Sequence, residues 1–85
     1  MTETIRCWLV EREYDDRGLL RLVYATPDGS RHLRRERSAA LVDEVTAATD
    51  TSEERLRPVD EEELRERYAA EVDRVRARHG PDEAI

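Results

Sequence analysis

Two periods of apolar residues run along this chain. Ile5, Cys7 and Leu9 alternate with Trp8, Val10 and Tyr14. A period of two predicts a strand over residues 5–14, with Ile5, Cys7 and Leu9 on one face and Trp8, Val10 and Tyr14 on the other. Asp15-Asp16-Arg17-Gly18 supplies turn chemistry, and Leu19 to Thr26 resumes the alternation, with Leu20, Leu22 and Tyr24 sharing a face. Thr26-Pro27-Asp28-Gly29 is the sharpest turn signal. Pro27 presets φ for a type I turn, and Gly29 tolerates the left-handed position that follows. The returning strand, Arg31 to Arg37, carries Leu33 as its only strongly apolar residue. That poverty predicts an edge strand guarded by charge.

Beyond Ser38 the period is lost. Ser38 to Ala48 reads either as a short helix carrying Leu41, Val42 and Val45, or as a lead into a fourth strand through Val45 to Thr49. Residues 50–58 are polar and end in Pro58, which disfavours helix immediately before it; Leu56 and Val59 are expected to pin this connector to the core. The period then changes to that of a helix. Leu64, Tyr68, Val72 and Val75 form one stripe over residues 60–79, with Asp60 and Glu63 as a capping pair and Val59 against Leu64 as a staple. Glu61 with Arg65 and Glu63 with Arg67 have the spacing of helical ion pairs, and Gly80-Pro81 stops the helix.

These elements predict a single α+β domain over residues 1–85: β-rich over 1–37, a connector over 38–59 and a helix over 60–79. The expected architecture is an antiparallel meander of three to four strands with the C-terminal helix packed across one face. Leu9, Leu20, Leu22, Tyr24, Val59, Leu64, Tyr68, Val72 and Val75 are its expected core.

Charge adds a setting. Charged residues make up 42% of the 85, with 21 acids against 15 bases and a net charge of −6. All the bases are arginine. Residues 1–37 are nearly neutral, so the excess of acid falls on the second half. GC-rich codons explain arginine without lysine, but arginine combined with an acid excess also suits concentrated salt, where a Debye length of about 3 Å at 1 M screens carboxylate repulsion. No apolar run approaches the roughly 20 residues of a membrane span, and the N-terminus lacks the basic and apolar regions of a signal peptide. A lone cysteine, Cys7, forms no internal disulfide. The expected place is the cytoplasm.

Several segments carry a resemblance. Trp8-Leu9-Val10-Glu11-Arg12-Glu13-Tyr14, Tyr24-Ala25-Thr26-Pro27-Asp28-Gly29, Arg35-Glu36-Arg37, Leu56-Arg57-Pro58-Val59 and Arg67-Tyr68-Ala69-Ala70-Glu71 resemble the recurring blocks of a group of small, acidic, uncharacterised proteins of halophilic archaea. The resemblance implies a salt-adapted cytoplasm. It carries no activity and no functional residues.

Site chemistry is sparse. Arg31, Arg34, Arg35 and Arg37 follow a turn within seven residues and are the candidate contacts for nucleic acid or another anion, with Trp8, Tyr14 and Tyr24 as stacking surfaces. Against that stands salt. Four phosphate contacts, each with a slope near −0.9, lose roughly five decades of affinity between about 0.1 M and about 3 M. Cys7 sits on an apolar strand face, which suits an inert thiol better than a nucleophile. His32 and His79 belong to no spaced ligand set, and the three glycines are isolated, so no metal, cofactor or enzymatic role is expected. Three strands under one helix leave a sheet face uncovered, and Trp8, Val10 and Tyr14 are the candidate interaction surface for a second copy or a protein partner. The expectation is a non-enzymatic interaction or regulatory module, with a nucleic-acid-associated factor as the alternative. A connector folded back over the open face would instead leave a monomer.

Overall fold

A computed structural model describes residues 3–41 and 44–85. Five strands form one antiparallel sheet: β1 (Thr4–Tyr14), β2 (Leu19–Ala25), β3 (Arg31–Ser38), β4 (Ala48–Ser52) and β5 (Arg57–Pro58), with one helix, α1 (Glu62–Arg78). The sheet order is β4-β1-β2-β3-β5. The first three strands are the meander read from the sequence, but the sheet has five strands where three to four were expected. β4 returns beside β1, pairing Thr49 with Cys7 and Thr51 with Ile5, so β1 is an interior strand. β5 pairs Arg57 and Pro58 with His32 and Arg31. β3 is therefore flanked at its start, and the expectation of a simple edge strand holds only beyond His32.

Both hairpin turns follow their residue chemistry. Asp15 Oδ1 accepts from the backbone N–H of Arg17 (2.8 Å) and of Leu19 (3.1 Å), and Gly18 takes φ +80°. In the second turn the Gly29 N–H donates to the Thr26 carbonyl at 2.8 Å, and Gly29 has φ +73°. Asp28 Oδ1 accepts from the Thr26 hydroxyl (2.7 Å), the Ser30 N–H (2.9 Å) and the Ser30 hydroxyl (2.7 Å). Those donors favour the charged carboxylate, the Ser30 backbone N–H foremost, and bring its pKa down to about 2. The folded value lies below the unfolded value of about 3.9, so this stabilisation is present above pH ~4 and is lost as pH falls toward ~2. Asp28→Asn should flatten the stability curve in that window, and urea melts of both proteins from pH 5 to 2 check it.

The sheet has two buried faces, each with its own core. On one side Trp8, Val23, Ala25, Ala47, Ala48, Val59, Tyr68 and Val72 are packed together with partly buried Val10, Leu64 and Val75. On the other, Cys7, Leu9, Leu20, Leu22, Tyr24, Leu33, Val45 and Leu56 form a second cluster, joined by Ile5 and Ala39. Ile85 touches both. The expected single core is thus corrected. The helix covers Trp8, Val23 and Ala25, while Leu9, Leu20, Leu22 and Tyr24 lie on the opposite face. Pairing explains the split, because Tyr24 stands opposite Leu9 and Leu33, whereas Val23 stands opposite Glu11 and Arg34.

A single bulge decides which side chains share those faces. Trp8 pairs with Ala25 and Leu9 with Tyr24, but the next partner pair is Glu11 with Val23, leaving Val10 as the extra residue. One extra residue inverts the alternation beyond it. Arg12 therefore stands opposite Leu22 and Tyr14 opposite Leu20, on the face of Leu9 and away from the helix. Uninterrupted period-two alternation placed Tyr14 beside Trp8. The bulge overrides it.

The connector packs over part of the second face. Ala39 follows β3 in a 3₁₀ turn, Ala39–Leu41, its N–H donating to the Gly18 carbonyl at 2.8 Å. Val45 and, after the 3₁₀ turn Glu53–Arg55, Leu56 pack into the Cys7–Leu33 cluster. The short helix expected over Ser38–Ala48 is that one turn. Its expected Val42 lies outside the described residues. The tail after α1 is a feature the sequence reading missed. It runs beside residues 45–48, with Ala48 N–H to the Pro81 carbonyl (3.1 Å), Ala47 N–H to Glu83 (2.9 Å) and Ile85 N–H to Val45 (2.8 Å).

The helix stripe is confirmed, since Tyr68 and Val72 are buried and Leu64 and Val75 partly so. Its start is not as expected. The cap position is Glu61, with no side-chain capping bond, and Asp60 lies before it. Val59 is held extended instead, its N–H donating to the Ser30 carbonyl (2.8 Å) and its carbonyl accepting from the Arg65 guanidinium (2.7 Å). Arg65 thus serves the entry to the helix rather than Glu61, and Arg67 lies 3.9 Å from Glu11 on the sheet rather than on Glu63. The helical ion pairs that form are Glu71 with Arg74 and Asp73 with Arg76.

Candidate functional site

The β3 arginines alternate across the sheet. Arg35 stands opposite Leu22 and Arg37 opposite Leu20, whereas Arg34 stands opposite Val23 on the helix side. Arg31 pairs with Glu53 at 3.3 Å. The four candidate anion contacts are therefore not one surface. The expected interaction triad is divided too: Trp8 is only 8% exposed, Val10 packs with the helix-side core, and Tyr14 stands out at 59% exposure.

What the fold assembles is a different set. Arg12, Leu22 and Arg35 form one cross-strand row, and Tyr14, Leu20 and Arg37 form the next. Across two strand spacings the outer residues of a row are about 9–10 Å apart. Arginine and tyrosine thus flank two buried leucines on the side away from α1. Arg35 lies over the Tyr24 ring, 5.8 Å from its centroid, and reaches the Thr49 hydroxyl at 3.4 Å. Arg37 donates to the adjacent Glu36 carbonyl at 3.1 Å, and Arg12 donates to the main-chain oxygen of Ile85.

Ion pairing divides the arginines of the molecule. Arg6, Arg17, Arg21, Arg31, Arg67, Arg74 and Arg76 each have a carboxylate within 4 Å. Among the described residues Arg12, Arg35 and Arg37 have no Asp or Glu within that distance, and neither do Arg34, Arg65 and Arg78; Arg12 is held by the Ile85 main-chain oxygen instead. Burial pushes the Tyr24 phenol pKa up, and the charges that oppose it are Arg35, Arg37 and Arg12. The surroundings of that hydroxyl are cationic in a protein of net charge −6. Beside the patch runs a groove of about 400 Å³, walled by Arg12, Tyr14, Leu20, Val45 and Ile85, with Glu44 at its side.

Other chemistry is weaker. A smaller hollow of about 170 Å³ on the helix side mixes Glu11, Glu13 and Glu36 with Arg21 and Arg34. Arg21 and Glu36 neutralise each other there at 3.9 Å. Cys7 is fully buried, and desolvation pushes its thiol up to about 11, which leaves it protonated and unreactive near neutral pH. His32 has a buried Nδ1 without a hydrogen-bond partner among the described residues, and burial together with Arg34 lowers its pKa. No group of three His, Cys, Asp or Glu among the described residues could hold a metal ion. No helix among them is long and apolar enough to cross a membrane.

The patch was half legible. Arg35, Arg37 and Tyr14 were candidates, in separate sets, and Arg12 was in neither. The signal that unites them is the register of β1 against β2, which a single strand does not reveal.

No curated protein and no solved structure matches the chain. A family profile does match, over residues 1–85, and the chain belongs to that family of unknown function, DUF7967.

Proposed function

We propose that this chain is a small non-enzymatic binding module whose working surface is Arg12, Tyr14, Arg35 and Arg37, and whose partner presents anionic groups. One observation carries the reading: three arginines without an Asp or Glu partner among the described residues share a face with the one large exposed aromatic, in an acidic protein. Arginine and tyrosine are the residue types that dominate binding surfaces, and an arginine fork fits carboxylate and phosphate alike. The acidic start of α1 lies on the other side of the sheet, so its carboxylates do not quench the patch.

A polyanion titration tests this reading. Polyglutamate should bind at low ionic strength and be lost when Arg12→Gln is combined with Arg37→Gln. Arg74→Gln with Arg76→Gln removes the same charge from the helix and should leave binding unchanged. Equal weakening in both doubles would sink the assignment to this face. A second copy is one anionic partner, since Glu61, Glu62, Glu63 and Glu66 lie on the helix side. Val45 and Leu56 pack on the sheet face away from α1, so self-association would use the exposed patch beside them. Sedimentation of the wild type and the arginine double variant measures it.

The setting we propose is the cytoplasm of a salt-adapted organism, supported by the acid excess and the absence of lysine. Screening of carboxylate repulsion should raise the melting temperature steeply from low salt to molar KCl. A melting temperature that does not change with KCl would contradict it.

A further inference from the structure

We infer that the ligand of this surface is a nucleotide, its phosphate held by Arg12, Arg35 and Arg37 and its base stacked on Tyr14. The inference rests on the binding-surface reading above and adds the ligand's chemistry to it.

Three observations carry it. The first is convergence. Arg12 and Arg35 flank Leu22 in one cross-strand row, and Arg37 follows in the next, so the three arginines arise from one area of sheet, and the charges of all three act on the Tyr24 hydroxyl. Planar guanidinium groups pair with phosphate oxygens in a bidentate fork, which ammonium groups do not. Tyr24 lies beneath, buried, with Arg35 over its ring. The second is the platform. Tyr14 is 59% exposed at the end of the same row as Leu20 and Arg37. An exposed tyrosine beside arginines on a sheet face supplies what a base needs, a π surface next to phosphate contacts. The third is room. The groove of about 400 Å³ beside Tyr14 is walled by Leu20, Val45 and Ile85, with Arg12 and Glu44 at its sides. Among the described residues Glu44 is the one acidic side chain lining it, and a carboxylate there accepts from an exocyclic amine of a base while leaving the arginine end to the phosphate. A carboxylate partner such as an acidic peptide uses the arginines but has no use for the exposed ring.

The phosphate and base come either from a free nucleotide or from single-stranded nucleic acid. Titrations at low ionic strength with inorganic phosphate, cytidine 5′-monophosphate, a short oligocytidylate and polyglutamate separate the cases. They are followed by NMR on the wild type, on Tyr14→Ala and on the Arg12→Gln/Arg37→Gln double. The substituted side chains are exposed, and a thermal melt confirms that each variant is folded. The inference expects the monophosphate to bind more tightly than inorganic phosphate. It expects Tyr14→Ala to weaken the monophosphate and the oligonucleotide roughly tenfold while leaving inorganic phosphate unchanged. The arginine double should lose all of them. An oligonucleotide that binds far more tightly than the monophosphate assigns the ligand to single-stranded nucleic acid; equal affinity assigns it to the free nucleotide. If the monophosphate binds no better than inorganic phosphate, or Tyr14→Ala changes nothing, the nucleotide is wrong. In that case polyglutamate binding that depends on the arginines leaves the anionic surface standing. Failure of every probe to bind overturns both.

Discussion

Gly29→Ala should be among the most damaging single-methyl additions to this protein. Gly29 has φ +73°, where an L residue costs roughly 1–2 kcal/mol. The added Cβ would also lie 2.1 Å from the Arg65 carbonyl oxygen and 2.9 Å from the Ala69 nitrogen, both backbone atoms of α1. A flexible side chain could swing aside, but helix backbone cannot. Either the β2–β3 turn withdraws from the helix or the helix lifts from the sheet. The combined loss should exceed about 3 kcal/mol, which is diagnostic of a named steric cause. Gly18→Ala is the internal comparison, since Gly18 has φ +80° but no atom within 4 Å of the added Cβ. It should cost only the conformational part, about 1–2 kcal/mol. Urea unfolding of both variants gives the difference directly. Equal losses would show that the turn does not abut the helix.

Val72→Asp should leave the chain largely unfolded. Val72 has no exposed surface and lies in the cluster formed by Trp8, Val23 and Ala25 beneath α1. An unpaired carboxylate at that site loses valine packing and needs either a buried charge or a strongly raised pKa. The expected cost, above about 4 kcal/mol, is comparable with the roughly 4–13 kcal/mol total stability of a domain this size. Circular dichroism at neutral pH should show loss of the cooperative melt. Leu64→Ala on the same stripe should cost less than the roughly 2–5 kcal/mol of a fully buried leucine, because Leu64 is only partly buried. A folded Val72→Asp protein with a normal melt would mean that the helix does not rest on the sheet.

Local chemistry was readable from the chain. Pro27, Asp28 and Gly29 specify their turn through φ and side-chain acceptors, and the helix stripe announces itself by spacing. Features made by pairing were not. β4 reads Ala48-Thr49-Asp50-Thr51-Ser52, polar enough to pass for a loop, because hydroxyl and alanine side chains suffice along that edge of the sheet. β5 has two residues, one of them proline, below the length at which any period exists. The bulge at Val10 has no glycine or polar residue to mark it, and it emerges only when β1 is laid against β2. For that reason alternation alone groups Tyr14 with Trp8 and gives no sign of Arg12. The cap at Asp60 failed for a similar reason, since the Val59–Ser30 and Arg65–Val59 bonds come from chain segments outside the capping motif.

The proposed binding surface exists only if the Val10 bulge turns Arg12 and Tyr14 away from α1. Nuclear Overhauser contacts of the Tyr14 ring test this most directly. Tyr14 should show cross-peaks to Leu20, its partner across β1 and β2, and to Val45 or Ile85 across the groove, with none to Val72 or Val75. Cross-peaks from Tyr14 to the helix valines would place it beside Trp8, remove the arginine–tyrosine face and contradict the account.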